Sequence, residues 1–250
     1  MLYWLLPMPT LGALLLATLT LAAGIAPPAA LTQDHHDEED DWIRLESALS
    51  GRSPQEQAEV HIILTQATSS TRSMQSTALR RIEQLVEKND PVSRFPEITE
   101  IISLLVLEPY RVSRSGLSRN GGSGGTYPDI RVRATQLLGR IGGREAYTVL
   151  VELMRLETDG SVRIAALHAL PRVDVRPEPT LPGVLARVIR GARDDPPTLR
   201  AALGTVRALH SRYGFLDTPE LFTAVIDVAQ GPYPRSLRTE AFEVVDLLRE

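Results

Sequence analysis

The sequence predicts an all-α protein built from stacked helical hairpins. From residue 42 onward apolar residues recur at three- and four-residue spacing, and no segment alternates with the period of a strand. The same helical pattern then returns several times along the chain, as repeat architectures require. Composition agrees. Hydrophobic residues make up 43% and charged residues 23%, ordinary for a folded chain, while 5% aromatics suit a core of Leu, Ala, Val and Ile better than a ring-packed β-sandwich.

Two bulk properties exclude whole classes of function. The formal charge of -4 offers no basic excess for a phosphate backbone, so no nucleic-acid partner is expected. With no cysteine, the chain has no disulfide, thiolate metal site, cysteine nucleophile or lipidated cysteine. Lys88 is the single lysine among the basic side chains, a skew that points to genome composition more than to guanidinium chemistry.

Residues 1–30 carry no charged side chain. The apolar run from Leu11 to Ala26 ends in small residues and prolines, the pattern of a secretory signal peptide, although no Lys or Arg precedes it. The other reading is an N-terminal anchor, since Leu2 to Ile25 could cross a bilayer of roughly 30 Å at about 1.5 Å per residue. Pro7 and Pro9 interrupt the first half of that span. Residues 31–41, with Asp34-His35-His36-Asp37-Glu38-Glu39-Asp40-Asp41, are expected to be an acidic, disordered leader.

Helical stretches follow at Trp42–Leu49, Gln55–Gln66, Met74–Glu87, Pro96–Leu107, Ile130–Ile141, Ala146–Leu156, Val162–Val173, Pro182–Ile189, Thr198–Leu209, Pro219–Ala229 and Leu237–Arg249. The breaks between them have turn chemistry: Asp90-Pro91, Gly142-Gly143, Asp159-Gly160, Asp194-Asp195-Pro196-Pro197 and Gly231-Pro232. Connections this short favour antiparallel neighbours. The segment Val112–Thr126, Gly- and Ser-rich and without periodicity, reads as a flexible insertion.

The repeat is anchored at Arg163, after which apolar or small residues fall three, four, six, seven and ten places on. Arg131 repeats this with Ala134, Leu137, Leu138, Gly139 and Ile141, and Arg238 with Ala241, Phe242, Val244, Val245 and Leu248. Arg200 follows more loosely through Leu203, Val206 and Leu209, and Gln75 fits through Ala78, Leu79, Ile82 and Leu85. Ala134, Ala165, Ala166, Ala169, Ala201, Ala202 and Ala241 keep side chains short where helices must approach closely.

The run Asp129-Ile130-Arg131-Val132-Arg133-Ala134-Thr135-Gln136-Leu137-Leu138-Gly139-Arg140-Ile141-Gly142-Gly143 resembles the HEAT-repeat family, above all the short HEAT-like repeats of phycobilin lyases. The likeness is strongest over residues 129–173. It implies a HEAT/armadillo-like, right-handed α-solenoid of about five hairpins over residues 42–250. It further implies that Arg131, Arg163, Arg200 and Arg238 are structural, tying adjacent repeats near Asp129, Asp159 and Asp195. The second helix of each hairpin would line the concave face. Positions five and nine after each anchor then point outward: Arg80, Gln136, His168, Thr205 and Glu243, with Gln84, Arg140, Arg172, Leu209 and Leu247. Of these, Arg80, Gln84, Gln136, Arg140, His168 and Arg172 are the candidate partner contacts.

No catalytic constellation stands out. His61, His168 and His210 lie far apart, there is no Gly-x-Ser-x-Gly elbow, and Gly121-Gly122-Ser123-Gly124-Gly125 lacks the Lys-Ser/Thr of a phosphate loop. His35 and His36 in a flexible leader are not preorganised for a metal. No cofactor, metal or catalytic residue is assigned. The expected function is an exported protein–protein interaction scaffold or adaptor of the cell envelope, periplasmic or secreted. A membrane-tethered structural spacer is the alternative, and the lyase resemblance alone suggests a lyase- or chaperone-like role. Another protein is the expected partner, membrane contact is limited to residues 1–30 if they are retained, and the expected state is a monomer.

Overall fold

The computed structural model describes residues 53–88, 97–114, 127–214 and 218–249, all within the unit spanning Leu45–Glu250. The described residues are all-helical. The helices are α1 (Pro54–Ala67), α2 (Arg72–Lys88), α3 (Glu97–Arg114), α4 (Pro128–Ile141), α5 (Gly143–Leu156), α6 (Gly160–Ala169), α7 (Leu181–Gly191), α8 (Pro196–Tyr213), α9 (Pro219–Gln230) and α10 (Arg235–Leu247). One 3-10 turn, Leu170–Arg172, extends α6.

Several boundaries have a local cause. Ser53 and Glu56 form a reciprocal capping box at α1, with Pro54 in the first turn, where its missing N–H costs nothing. Asp159 caps α6 by accepting from the amides of Ser161 and Val162, and Asp195 caps α8 by accepting from Thr198. Gly142 and Gly143 both take positive φ, 72° and 84°, which lets the chain reverse between α4 and α5 without a side-chain clash.

The contacts fall into a regular scheme. Each odd-numbered helix packs against the even-numbered helix that follows it, giving five hairpins. Odd helices touch one another in chain order to form one row, and even helices form a second. Buried apolar side chains from all ten helices make one continuous cluster. The seven alanines expected at close approaches are all buried. Closest of all is the α4–α6 seam, where a Cβ built on Gly139 would lie 2.7 Å from the Cβ of Ala169.

Two expectations about elements change. Helix α3 runs on to Arg114, so Val112–Arg114 are helical and do not belong to the insertion. Phe242, placed in the apolar column of the last repeat, is 50% exposed. The leader (residues 1–41), the Trp42–Leu49 helix, the Asp90-Pro91 break and the remainder of the insertion (115–126) lie outside the described residues.

Gly139→Ala is therefore expected to lower stability, although Ala is the better helix former by about 1 kcal/mol. Overpacking a close seam costs about 1–3 kcal/mol, and only the Ala169 backbone and Cβ are there to yield. Denaturant unfolding would show it, and Ala169→Gly should recover only part of the loss, because the Ala169 Cα and carbonyl oxygen remain 2.9 and 3.2 Å from the added Cβ. At α6, Ser161 and the backbone amides hold the Asp159 carboxyl below the ordinary value of 3.8. A depressed carboxyl stabilises above its unfolded value and loses that contribution as pH falls through the lowered one. Asp159→Ala should thus cost about 1 kcal/mol at neutral pH, with the difference from the parent shrinking as pH falls below 3.8 through the lowered value.

Candidate interaction surface

Helix α4 delivers Arg131 into the interior. A guanidinium there must be paired, because burying an unpaired charge is prohibitive. Its Nε donates to Glu157 Oε2 at 3.1 Å and its Nη2 to Glu157 Oε1 at 3.3 Å. The two side chains are only 7% and 0% exposed. Glu157 ends α5, and its Oε1 also accepts from the amides of Thr158 and Asp159 at 2.8 and 2.7 Å. Arg163 closes the knot by donating to the Glu157 backbone carbonyl at 2.6 Å. Tyr110 of α3 reaches the same carboxylate. Burial first, then this hydrogen bond, pushes its phenol well above the usual range. One residue at a helix break thus joins α3, α4, α5 and α6.

The even row carries a second, exposed set of interactions. Arg133 spans from α4 to Glu83 and Ser76 of α2, and Arg72 pairs with Asp129 at 2.8 Å. Arg140 lies 3.8 Å from Glu87. Arg200 of α8 donates to Glu240 and Ser236 of α10, and Arg207 to Glu243. Arg212 reaches back to Asp174. Between α6 and α8 the seam is buried, and Thr205 Oγ1 donates to the Leu167 carbonyl at 2.8 Å.

These contacts sort the candidate residues. Arg80, Gln84, Gln136, Arg140, His168 and Arg172 are all exposed on the even row. Of the six, Arg140 makes the one side-chain ion pair found among the described residues. Thr205 and Leu209, assigned to the same outward columns, are buried instead. Thr205 turns into the seam because small neighbours let α6 and α8 close on each other, and its hydroxyl finds a carbonyl there. Leu247 is half-buried. Among the anchors, Arg131, Arg163 and Arg200 make inter-element bonds. Their partners are not Asp129, Asp159 or Asp195, which serve Arg72 or cap helices. Arg238 is exposed.

Glu157 was not singled out from sequence. A signal was available: a carboxylate at a helix C-terminus opposes the helix dipole, so it needs a compensating partner. The groove beside the α7–α8 and α9–α10 connections, about 680 Å³, was also not anticipated. Arg190, Arg193, Asp194, Asp227 and Tyr233 line it, mixing both charges around a ring, and Arg190 is engaged by the Glu220 carbonyl. Among the described residues no three metal-ligating side chains converge.

Breaking the buried pair should be far more damaging than replacing it. Arg131→Met leaves Glu157 buried without its cation and is expected to cost about 3–5 kcal/mol. Adding Glu157→Gln removes the orphan charge while keeping an acceptor for the Thr158 and Asp159 amides, and should recover more than half of that loss. Nη1 of Arg131 has no partner among the described residues, so the native pair is itself incompletely satisfied. Denaturant melts of the single and double variants form the required cycle.

Comparison with protein-family models, curated proteins and solved structures finds no match to this chain, so its geometry and chemistry carry the functional reading.

Proposed function

We propose that the five hairpins form an α-solenoid of the HEAT type and that the protein is a protein–protein interaction scaffold, with the even-helix row as its contact surface. The supporting observation is the placement of Arg80, Gln84, Gln136, Arg140, His168 and Arg172. Three successive hairpins contribute them, and all six are exposed on the same row of helices. A surface shared across hairpins suits an extended partner segment better than a small molecule, which needs a concave site with converging groups. The arginines favour an acidic or polar segment, through attraction that salt weakens.

Export to an extracytoplasmic compartment is part of the same reading and rests on the apolar, uncharged residues 1–30. Among the described residues no helix is long and apolar enough to cross a membrane. The run Leu2–Ile25 also supports a tethered form of the same scaffold, and the intact mass of the exported protein separates a cleaved chain from a retained anchor.

Affinity isolation of the exported protein with crosslinking should recover one reproducible protein partner, with crosslinks on α2, α4 and α6. Reversing Arg140 and Arg172 to Glu together should reduce its recovery at least about tenfold while leaving the thermal midpoint within a few degrees. Loss of no more than about twofold would remove the even row as the contact surface. An absence of any reproducible partner would count against the scaffold itself.

A further inference from the structure

The repeat scheme assigns directions to side chains, and those directions expose an unfinished surface on the last hairpin. In α4 the residues at the anchor and at four and eight places beyond it are Arg131, Thr135 and Gly139, all buried. Arg131 bonds to Glu157 and Gly139 meets Ala169, so this stripe faces the next hairpin. In α6 the Leu167 carbonyl, again four beyond its anchor, accepts from Thr205 of the next hairpin. In α8 the anchor Arg200 bonds to Glu240 and Ser236, again of the next hairpin. The corresponding stripe on α10 is Arg238, Phe242 and Asp246, and among the described residues no hairpin follows.

That stripe is built for a partner. Among the described residues the exposed large hydrophobics are Ile62, Met74 and Phe242, confined to the first and last hairpins. Phe222 and Ile226 of α9 are partly buried apolar residues of the same hairpin, and the Arg249 guanidinium sits 5.6 Å from the centre of the Phe222 ring. The charges on either side of Phe242 are opposite and equally spaced: Arg238 lies four residues before it and Asp246 four after. A like helix laid antiparallel across Phe242 therefore sets each Arg238 against the other copy's Asp246. Neither residue's charge is fully used among the described residues. Arg238 has no ion pair among the described residues, and Asp246 has only Arg249 at 3.9 Å.

We infer that this end face pairs with a second copy of the same chain, α10 against α10 about a two-fold axis through Phe242. Such an isologous contact is self-complementary by construction, and the symmetric Arg–Phe–Asp order is what distinguishes it from stacking on an unlike hairpin. The remaining charges fit a rim. Glu243 is turned to Arg207 and Glu240 to Arg200. Arg235 and Arg249, seven residues on either side of Phe242, would approach as like charges. Arg249 is drawn aside there by Asp246 and the Phe222 ring, and salt screening is greatest at a rim. The contact leaves the even-row surface of α2, α4 and α6 free, so it goes beyond the scaffold reading and replaces the expected monomer with a dimer.

Sedimentation velocity of the full chain over a concentration series should show a monomer–dimer equilibrium. Phe242→Glu should weaken association at least about tenfold with helicity and melting unchanged, because the side chain is half exposed in the monomer. Arg238→Asp alone should weaken the dimer, and Arg238→Asp with Asp246→Arg should restore it, since the pairing is merely inverted. Because the chain has no cysteine, Phe242→Cys provides one thiol, which should oxidise to a disulfide-linked dimer. A chain that stays monomeric throughout, or a dimer indifferent to Phe242→Glu, would overturn the inference. So would oligomers that grow beyond two while the Phe242→Cys variant forms no disulfide. That last pattern would mean head-to-tail stacking through the Ile62 and Met74 end.

Discussion

A hairpin of two amphipathic helices has two flanks to cover and can cover neither with itself. That constraint organises every described element. The odd and even helices pack within a hairpin, but burial is completed only by the hairpins before and after. It also explains the composition. Seams between successive hairpins must be narrow to exclude water, so alanine and glycine occupy the close approaches and larger aliphatic residues fill the space between the two rows. The Gly139–Ala169 contact is the extreme case, with backbone meeting backbone where any side chain would hold the helices apart.

Apolar seams fix how closely hairpins approach but specify poorly where one slides along the next. Directional polar bonds supply the register. Arg131, Glu157 and Arg163 do so in the interior, where a displaced guanidinium would be left without a counter-charge. Thr205 does so at the following seam with a single hydroxyl. On the surface the pairs of Arg133, Arg200, Arg207 and Arg212 repeat the device in water, where each contributes about 0–1 kcal/mol. Their value lies in direction more than in stability. Along the even row, among the described residues, the α4–α6 seam, close-packed and held by the buried knot, is the one these exposed pairs leave unbridged.

How much of this was legible in the sequence follows from the range of each interaction. The helices from Gln55 onward could be read because periodicity and caps are local: Ser53 with Glu56, Asp159 and Asp195 each act within three residues. The recurrence of one apolar spacing in five helices was legible for the same reason. What could not be read was the rotation of each helix about its axis. A turn of one residue moves a side chain by about 100°, enough to take Thr205 and Leu209 from the outward columns into the seam. Glu157 escaped for another reason. Its partner Arg131 is 26 residues away, and Asp129, close to that arginine in sequence, offered equally good pairing until the fold gave it to Arg72. The outward column held for Arg80, Gln136 and His168, where the helix phase keeps them clear of both neighbouring seams.

Phe242 shows why a repeat position cannot be judged from its column alone. Four places beyond the anchor, Leu79, Thr135 and Leu167 are buried, and by pattern Phe242 belongs with them. In α8 the same place falls to Gly204, which is exposed and has nothing within 4 Å of where a Cβ would stand, so that helix is turned differently about its axis. The α10 helix is formed, and Phe242 holds the place in it that Leu79 and Leu167 hold in theirs. Among the described residues no hairpin follows α10 to cover it. Burial at this place thus depends on the neighbouring hairpin as well as on the helix's own phase. A stack that presented only polar groups there would close off its end, as terminal repeats usually do. An aromatic side chain flanked by opposite charges does the reverse. On the dimer proposed above, it offers a second copy an apolar centre between paired charges, chemistry of the kind that joins the interior hairpins.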